Sequence, residues 1–519
     1  MGIPAYFSYI VRKYPNIIEL LDNIKIDNLF LDCNSLIYDT YNVLQTNNQT
    51  LIINGVIERI NNIANAIKPQ KILFIAFDGV APMAKLNQQR ERRYKIEHEI
   101  RETPSVWNTL SITPGTKFMN MLNLRIYEYY ASVKVQYKII VSGSNQIGEG
   151  EHKIYEYIRK NPATDEITII YGNDSDLFML SINHLPFYKK IYIMKDTQEL
   201  SKFKTNINLS ANYIIDVANL MNKLIVFWKE DINLENSFKQ INITDNGEND
   251  NEENDNEKLI NCINDYIFIC FFLGNDFLPK FPALNIRTGG IDKLMNVYKI
   301  NFGILGKNII NKQEICWKNV KVFVEYLADH EEEYFIKEHK YRDHNPYINS
   351  PDPLYLPMTT RIDEKYINPF QPNWQKRYYE RLCNSSSPER MSKKYLQGLE
   401  WNFKYYTIGC VDYRWMYQYH YAPLLKDLIN YIPEQNIELI PKIRLNPVSE
   451  IMQLCYVLPL GSLYLIPHKI RTLLKKYHPE WYIENCKYIW AYCHYLWESH
   501  IEFPFININE LEHFINTIK

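Results

Sequence analysis

Short runs of aliphatic and β-branched residues recur through the first part of the chain, each followed by a stretch with helical spacing. The runs at 29–31, 72–77, 139–141 and 167–171 are unbroken apolar segments of strand length, and 191–194 reads as a fifth. Apolar runs without polar alternation suit strands covered on both faces. Strands alternating with helices predict an α/β fold around a mainly parallel, twisted sheet flanked by helices. Past about residue 340 the pattern changes. Residues 343–373 are rich in proline and polar positions and read as an irregular linker between a body at 1–342 and a second region at 374–519. That second region is aromatic and helical in spacing, as in WQKRYYERL, GLEWNFKYYTIGC and YRWMYQYHYAPLLKDLINYI. No repeat period that would indicate a solenoid is visible.

Composition changes this picture only in places. Of 519 residues, 46% are hydrophobic and 23% charged, enough apolar material to bury a sizeable core. A formal net charge of −2 excludes a bulk polycation that coats nucleic acid, though not a local basic site. The charge is also segregated. Residues 245–257, DNGENDNEENDNE, hold seven acids and no base, and without them the net charge becomes +5. Such a segment cannot offset its ordering entropy by burial, so a disordered surface insertion is expected at about 244–257. Nine scattered cysteines with no CxxC pair argue for reduced thiols rather than a disulfide framework or zinc ribbon. The first residues, MGIPAYFSYIVRKYP, lack the apolar stretch of a secretion signal, and position 6 is Tyr where a myristoylation signal needs Ser or Thr. The strongest apolar run, 266–273, is far too short to span a bilayer. A soluble intracellular protein is expected, cytoplasmic rather than nuclear, without a membrane partner.

The candidate chemistry lies at strand ends. Three predicted strands run into Asp32, Asp78 and Asp174, and ligands of open α/β sheets bind outside the carboxyl ends of strands. Glu149 and Glu151 open a helical run in GEGEHK, where Gly150 lets the backbone bend so that both can face the sheet edge. Asp176 follows Asp174 by two, and Asp276 lies in FFLGNDFLP. Any one aspartate after a strand is more often a helix cap. Seven carboxylates gathered together would repel unless a cation neutralises them. Hard oxygen donors suit Mg²⁺ or Mn²⁺, and two such ions about 4 Å apart can cleave a phosphodiester. No HExxH, Walker-A or GxSxG motif competes. After Asp78, the residues Lys85, Gln89, Arg92 and Arg93 fall on one helical face suited to a terminal phosphate, although the acids among them also fit a solvated charged helix. Tyr38 and Trp415 are candidate platforms for base stacking; His420 and His494 are isolated and read as structural.

These segments carry a resemblance. MGIPAYFSYIVRKYP, FLDCNSLIY, FIAFDGVAPMAKLNQQRERR, IGEGEHKI, GNDSDLF and FFLGNDFLP, followed by WQKRYYE, GLEWNFKYYTIGC, YQYHYAP and VLP, resemble in order the XRN family of 5′→3′ exoribonucleases. The resemblance implies a flap-endonuclease-like (PIN-like) nuclease core enclosed by a mostly helical second region. It implies that Asp32, Asp78, Glu149, Glu151, Asp174, Asp176 and Asp276 are catalytic Mg²⁺ ligands. It also implies that Lys85, Gln89, Arg92 and Arg93 receive a 5′-monophosphate in a pocket too small for a cap or triphosphate. Tyr38 stands where the family usually has a His that stacks on the first base, and Trp415 matches a helix-borne aromatic that assists translocation. The chain departs from the family pattern at Ile147 (usually Pro), Asn173 (usually Leu) and Tyr413 (usually Trp). Against the cytoplasmic enzyme of the family, a member without the long C-terminal extensions is expected, and the compact length with its acidic insertion also fits a viral, virion-associated member. The expected activity is processive, two-metal hydrolysis of 5′-monophosphorylated single-stranded RNA to mononucleotides by a monomer. A flap-type DNA nuclease and an inactive RNA-binding scaffold are the rival readings.

Overall fold

The apolar runs form the centre of a seven-stranded sheet. In the computed structural model, which describes residues 2–518 apart from 23, 103–104, 189, 204–206, 229–249, 304–305, 345–358, 385 and 442–444, the strands are β1 Ile18–Leu20, β2 Asn28–Asp32, β3 Ile72–Ala76, β4 Lys138–Ser142, β5 Ile167–Tyr171, β6 Lys190–Met194 and β7 Tyr213–Asp216. Their spatial order is β1-β7-β6-β5-β2-β3-β4. From β6 to β4 every pairing is parallel, while β7 and β1 add an antiparallel edge. These two antiparallel strands were not expected, because three or four residues are too few to show a period.

Alternate residues of the strands separate two cores. Phe30, Phe74, Ile170 and Ile193 join one buried cluster, and Leu29, Leu31, Leu73, Ile75 and Ile169 join the other. The second cluster is closed by helices Gln49–Ile67 and Lys117–Ser132. The first is larger and runs on without a break into the aromatic region, taking in Trp401, Phe403, Tyr405, Tyr406 and Trp415. The helices that matter for the site are α1 Asn34–Leu44, α2 Met83–Glu102, α3 Gly150–Lys160, α4 Asp176–His184, α5 Asp250–Cys270, α6 Glu331–His344, α7 Ile362–Ile367, α8 Pro388–Thr407 and α9 Glu450–Val457.

Two segments differ from expectation. Residues 250–257, read as part of a disordered insertion, form the first turns of α5, which continues into a fully apolar end; 245–249 lie outside the described residues. The irregular linker at 343–373 contains α7, and Glu364 within it is buried against two arginines. Arg342 donates to both carboxylate oxygens (2.9 and 2.7 Å), and Arg361 donates at 2.5 Å. The backbone N–H of Tyr492 adds a third source of donors at 2.8 Å. The remainder of that linker, 345–358, lies outside the described residues. All nine cysteines are free thiols. Among the described residues no helix is long and apolar enough to cross a membrane.

Candidate active site

The chain runs from β2 through β3 to β4 in one direction, then returns to place β5 and β6 on the other side of β2. The crevice of such a sheet opens where the order reverses, outside the carboxyl ends of β2 and β5. Asp32 is the last residue of β2, Asp78 follows β3, and Asp174 and Asp176 follow β5. Glu149 is the N-cap position of α3 and Glu151 lies in its first turn. One donor oxygen from each of Asp32, Asp78 and Glu151 can be chosen so that all lie within 4.8 Å of one another. Glu149, Glu151 and His152 form a second such group, and among the described residues Asp174, Asp176 and Asp276 fall outside both.

Gly150 allows this crowding. A Cβ there would stand 2.6 Å from Asp32 Oδ1 and 3.4 Å from Asp78 Oδ1, so any larger residue would displace the carboxylates. The Gly150 N–H donates to Asp78 Oδ1 at 2.7 Å, a helix N-terminus aimed at an anion. Asn34, at the start of α1, donates its amide to the other Asp78 oxygen and accepts the Asp78 N–H at 3.1 Å. Asp32 Oδ1, by contrast, is buried with no hydrogen-bond partner.

The electrostatics are those of an under-neutralised cluster. Burial, reinforced by the Asp78 carboxylate, pushes Asp32 up to about 7. Burial together with Glu149 and Asp32 holds Glu151 well above the usual carboxylate range. Burial also raises Asp176, with Asp276 adding to it. Lys85 is the internal counter-ion. Its ammonium lies 2.5 Å from Glu149 and 2.7 Å from Asp276, with all three side chains buried. Burial opposes the charge on Asp276, but Lys85, the amino terminus and Arg92 together outweigh it and hold that carboxyl down at about 2.

Asp174 is half-buried, in a loop that the Lys195 ammonium braces through the carbonyl oxygens of Asn173 (2.5 Å) and Asp174 (3.4 Å). Asp32 Oδ1 thus offers an unused buried acceptor beside two further carboxylates, which fits a hard divalent cation.

The basic face of α2 is not a solvated helix. Lys85, Gln89 and Arg93 are buried, and Arg92 is half-buried. Arg93 donates to Thr113 Oγ1 (3.0 Å) and to the Gln89 carbonyl (3.1 Å). Burial and the neighbouring Arg92 bring the Arg93 guanidinium down to about 9, while Tyr38 and Asp78 act the other way, so Tyr38, Arg92, Arg93 and Asp78 share one neighbourhood. The opposite side of α2 is clamped to the aromatic region. Arg90 donates to the Trp481 and Pro504 carbonyls at 3.1 and 3.3 Å, and Glu97 accepts from Ser462 Oγ at 2.8 Å.

That region also reaches the carboxylates directly, through residues the sequence reading did not single out. The Tyr405 hydroxyl donates to Glu149 (2.9 Å) and the Tyr406 hydroxyl to Asp176 (2.7 Å). The only sequence signal was the paired tyrosine in GLEWNFKYYTIGC, 230 and 256 positions from its partners. Trp415 was expected to face a base. It is buried instead, at the end of a stack of four rings. Trp415 lies 5.3 Å from Trp401, Trp401 4.7 Å from Tyr405, and Tyr405 3.7 Å from His152, with interplanar angles of 22°, 29° and 22°. The Lys394 ammonium lies 5.5 Å from the Trp415 ring, and Gly398 admits that ring because a Cβ there would meet it at 2.8 Å. Tyr38 is half-buried on α1. His494 is buried beside Arg342, as a structural histidine would be, whereas His420 is not isolated: its Nδ1 lies 3.3 Å from Glu91.

Known proteins share this arrangement of sequence. Residues 1–197 match the family model described as XRN 5′-3′ exonuclease N-terminus, and residues 255–353 and 360–519 match the one described as Xrn1 helical domain. The curated protein named 5′-3′ exoribonuclease 2 of Arabidopsis thaliana is 25% identical, over 91% of this chain and 62% of its own length. Its namesake in Gallus gallus is 25% identical over 82% of this chain and 60% of its own, and that of Saccharomyces cerevisiae 28% over 65% and 39%. The chain therefore spans about six tenths of the length of the first of these relatives. Both models match in order and together cover most of the sequence: the chain belongs to the XRN exonuclease family.

Proposed function

We propose that this protein is a divalent-metal-dependent 5′→3′ exoribonuclease that removes mononucleotides from single-stranded RNA bearing a 5′-monophosphate. The observation that carries the reading is the convergence, beside one basic helix face, of carboxylates from the ends of β2 and β3 and the start of α3, with a buried Asp32 oxygen left unpaired. Asp32, Asp78 and Glu151 are the first candidates to hold Mg²⁺ or Mn²⁺, with Glu149, Asp174, Asp176 and Asp276 completing a site for two ions. When bound, the ions supply water activation and neutralise charge on the leaving oxygen.

The remaining roles belong to side chains. Lys85 balances Glu149 and Asp276 and keeps the acid cluster in register with α2. Arg92 is the half-buried guanidinium of that face and would take the terminal phosphate, with Arg93 and Gln89 shaping the pocket behind it. Tyr38, half-buried near Arg93, would stack on the first base. Trp415 is given no stacking role, since its ring is already covered. Tyr405 and Tyr406 orient Glu149 and Asp176, as outer partners of metal ligands do.

Substrate choice tests the reading against a flap-type DNA nuclease and a binding scaffold. Purified protein in Mg²⁺ is given 5′-phosphorylated single-stranded RNA, a DNA flap and single-stranded DNA, and the products are resolved. Mononucleotides from the RNA are expected; preference for the flap, or binding without cleavage, would contradict the proposal.

A further inference from the structure

Helix α2 carries one acid that the nuclease reading leaves unused. Glu91 Oε1 lies 3.3 Å from His420 Nδ1, and Glu91 Oε2 lies 3.5 Å from His500 Nδ1. The two imidazole rings are 5.0 Å apart, tilted by 31°. One donor atom from each of the three residues can be chosen so that all lie within 4.8 Å of one another. The side chains are 13%, 27% and 25% exposed, so they are reachable from solvent. All three line a cavity of about 460 Å³ whose wall also includes Asp276 and Lys280.

A single ion pair explains one histidine beside Glu91, not two histidines converging on it with their rings in contact. The donor set is two imidazoles and one carboxylate, which disfavours Mg²⁺ and suits zinc. Zinc–ligand bonds of about 2.1 Å in tetrahedral geometry place neighbouring donor atoms about 3.4 Å apart. The Glu91 Oε1–His420 Nδ1 separation of 3.3 Å is close to that figure, and His500 Nδ1 stands 3.5 Å from the other oxygen of the same carboxylate. Lys95 is the competing cation, 3.9 Å from Glu91 Oε2. Its ammonium is committed to the carbonyl oxygens of Trp497 and Ser499, which leaves the Glu91 carboxylate to the two imidazoles.

We propose that Glu91, His420 and His500 form a site for a divalent transition-metal ion, zinc above others, separate from the carboxylate centre. The three ligands come from α2 and from two distant segments of the aromatic region. Binding would therefore pin α2 to that region and add to the stability of the fold. The proposal does not depend on the nuclease reading.

The test uses the full chain, stripped with chelator and kept in saturating Mg²⁺ so that the carboxylate centre is occupied. Zn²⁺ is titrated by calorimetry and Co²⁺ by visible absorption. One equivalent of Zn²⁺ is expected, with the intense absorption of a four- or five-coordinate, nitrogen-ligated Co²⁺. His420→Ala and His500→Ala should each weaken binding by about 100-fold or more, since losing even an outer partner of a ligand costs about 10–100-fold. Asp32→Asn should leave it intact. Should an alanine variant fail to fold, His420→Gln and His500→Gln serve, with folding checked by circular dichroism. Zinc should then raise the unfolding temperature of the wild type and not of these variants. The assignment is overturned if the wild type binds no Zn²⁺ in Mg²⁺ or gives only a weak six-coordinate Co²⁺ spectrum, if the histidine variants bind as the wild type does, or if Asp32→Asn alone abolishes binding.

Discussion

Asp32 has a buried oxygen that nothing in the protein satisfies, and burial raises its carboxyl from an ordinary 3.8 to about 7. The folded state therefore favours the protonated form. The cost of ionising it is absent below pH 3.8 and grows as pH rises to about 7, where it reaches an upper bound of roughly 4 kcal/mol. Metal-free protein should thus unfold at a lower temperature at pH 7.5 than at pH 5, and Mg²⁺ should reverse the loss. Asp32→Asn should flatten that pH dependence while reducing RNA decay by about 100-fold or more. Thermal unfolding in chelator, beside decay rates in Mg²⁺, checks both halves. Arg92→Ala removes charge-assisted hydrogen bonds worth about 1.5–3 kcal/mol each. It should lower kcat/KM on 5′-monophosphate RNA by about 10–100-fold and leave 5′-hydroxyl RNA nearly unaffected; equal losses on the two ends would remove Arg92 from the phosphate pocket. Tyr405→Phe and Tyr406→Phe remove one donor each from Glu149 and Asp176. Weaker metal binding by about 10–100-fold, read directly by Mn²⁺ paramagnetic resonance, is the expected result, and unchanged Mn²⁺ affinity would make these hydroxyls merely structural. Which acids converge was legible from their places at strand ends and in Gly-containing turns. Which tyrosines meet them was not, because a hydroxyl 256 positions away leaves no local pattern.

At the scale of elements, the five parallel strands were readable because each is a short, continuous apolar run, buried on both faces in the middle of the sheet and partly exposed at β4, and their observed bounds differ from the apolar runs by a residue or so. The antiparallel strands β1 and β7 were not, since both are very short and β1 finds its partner almost two hundred positions away, Ile18 opposite Ile215. Helix α2 read ambiguously for a physical reason. Its charges are mixed all round, and only the fold separates the face that meets the carboxylates from the face clamped by Trp481, Ser462 and Pro504. The described end of the expected linker holds α7, which left no signal because prolines flank it without entering it. There Glu364 holds Arg342 bidentately in the interior, joining α6 to α7. Breaking a buried pair by removing one partner costs about 3–5 kcal/mol, because the other charge is left uncompensated. Glu364→Ala should lower the urea midpoint accordingly, with no change in the slope of the transition; a shift under 1 kcal/mol would mean that water or Asp343 replaces the carboxylate.

For the whole molecule, the largest core passes from the sheet into the aromatic region without a boundary, and the acid centre draws donors from both. The near-neutral charge follows from this arrangement. Carboxylates are concentrated at one end of the sheet, the basic face of α2 is packed beside them, and residues 250–257 of the acid-rich segment form the first turns of α5. The central claim is that the centre recognises a 5′-monophosphate and cleaves only with a divalent ion. The most direct measurement is the decay of one single-stranded RNA prepared with 5′-monophosphate, 5′-hydroxyl and capped ends, each with Mg²⁺ and with chelator. Release of mononucleotides from the 5′-monophosphate RNA in Mg²⁺, with the other five conditions at least tenfold slower, is the predicted result. Equal decay of all three ends, or decay that persists in chelator, would contradict it.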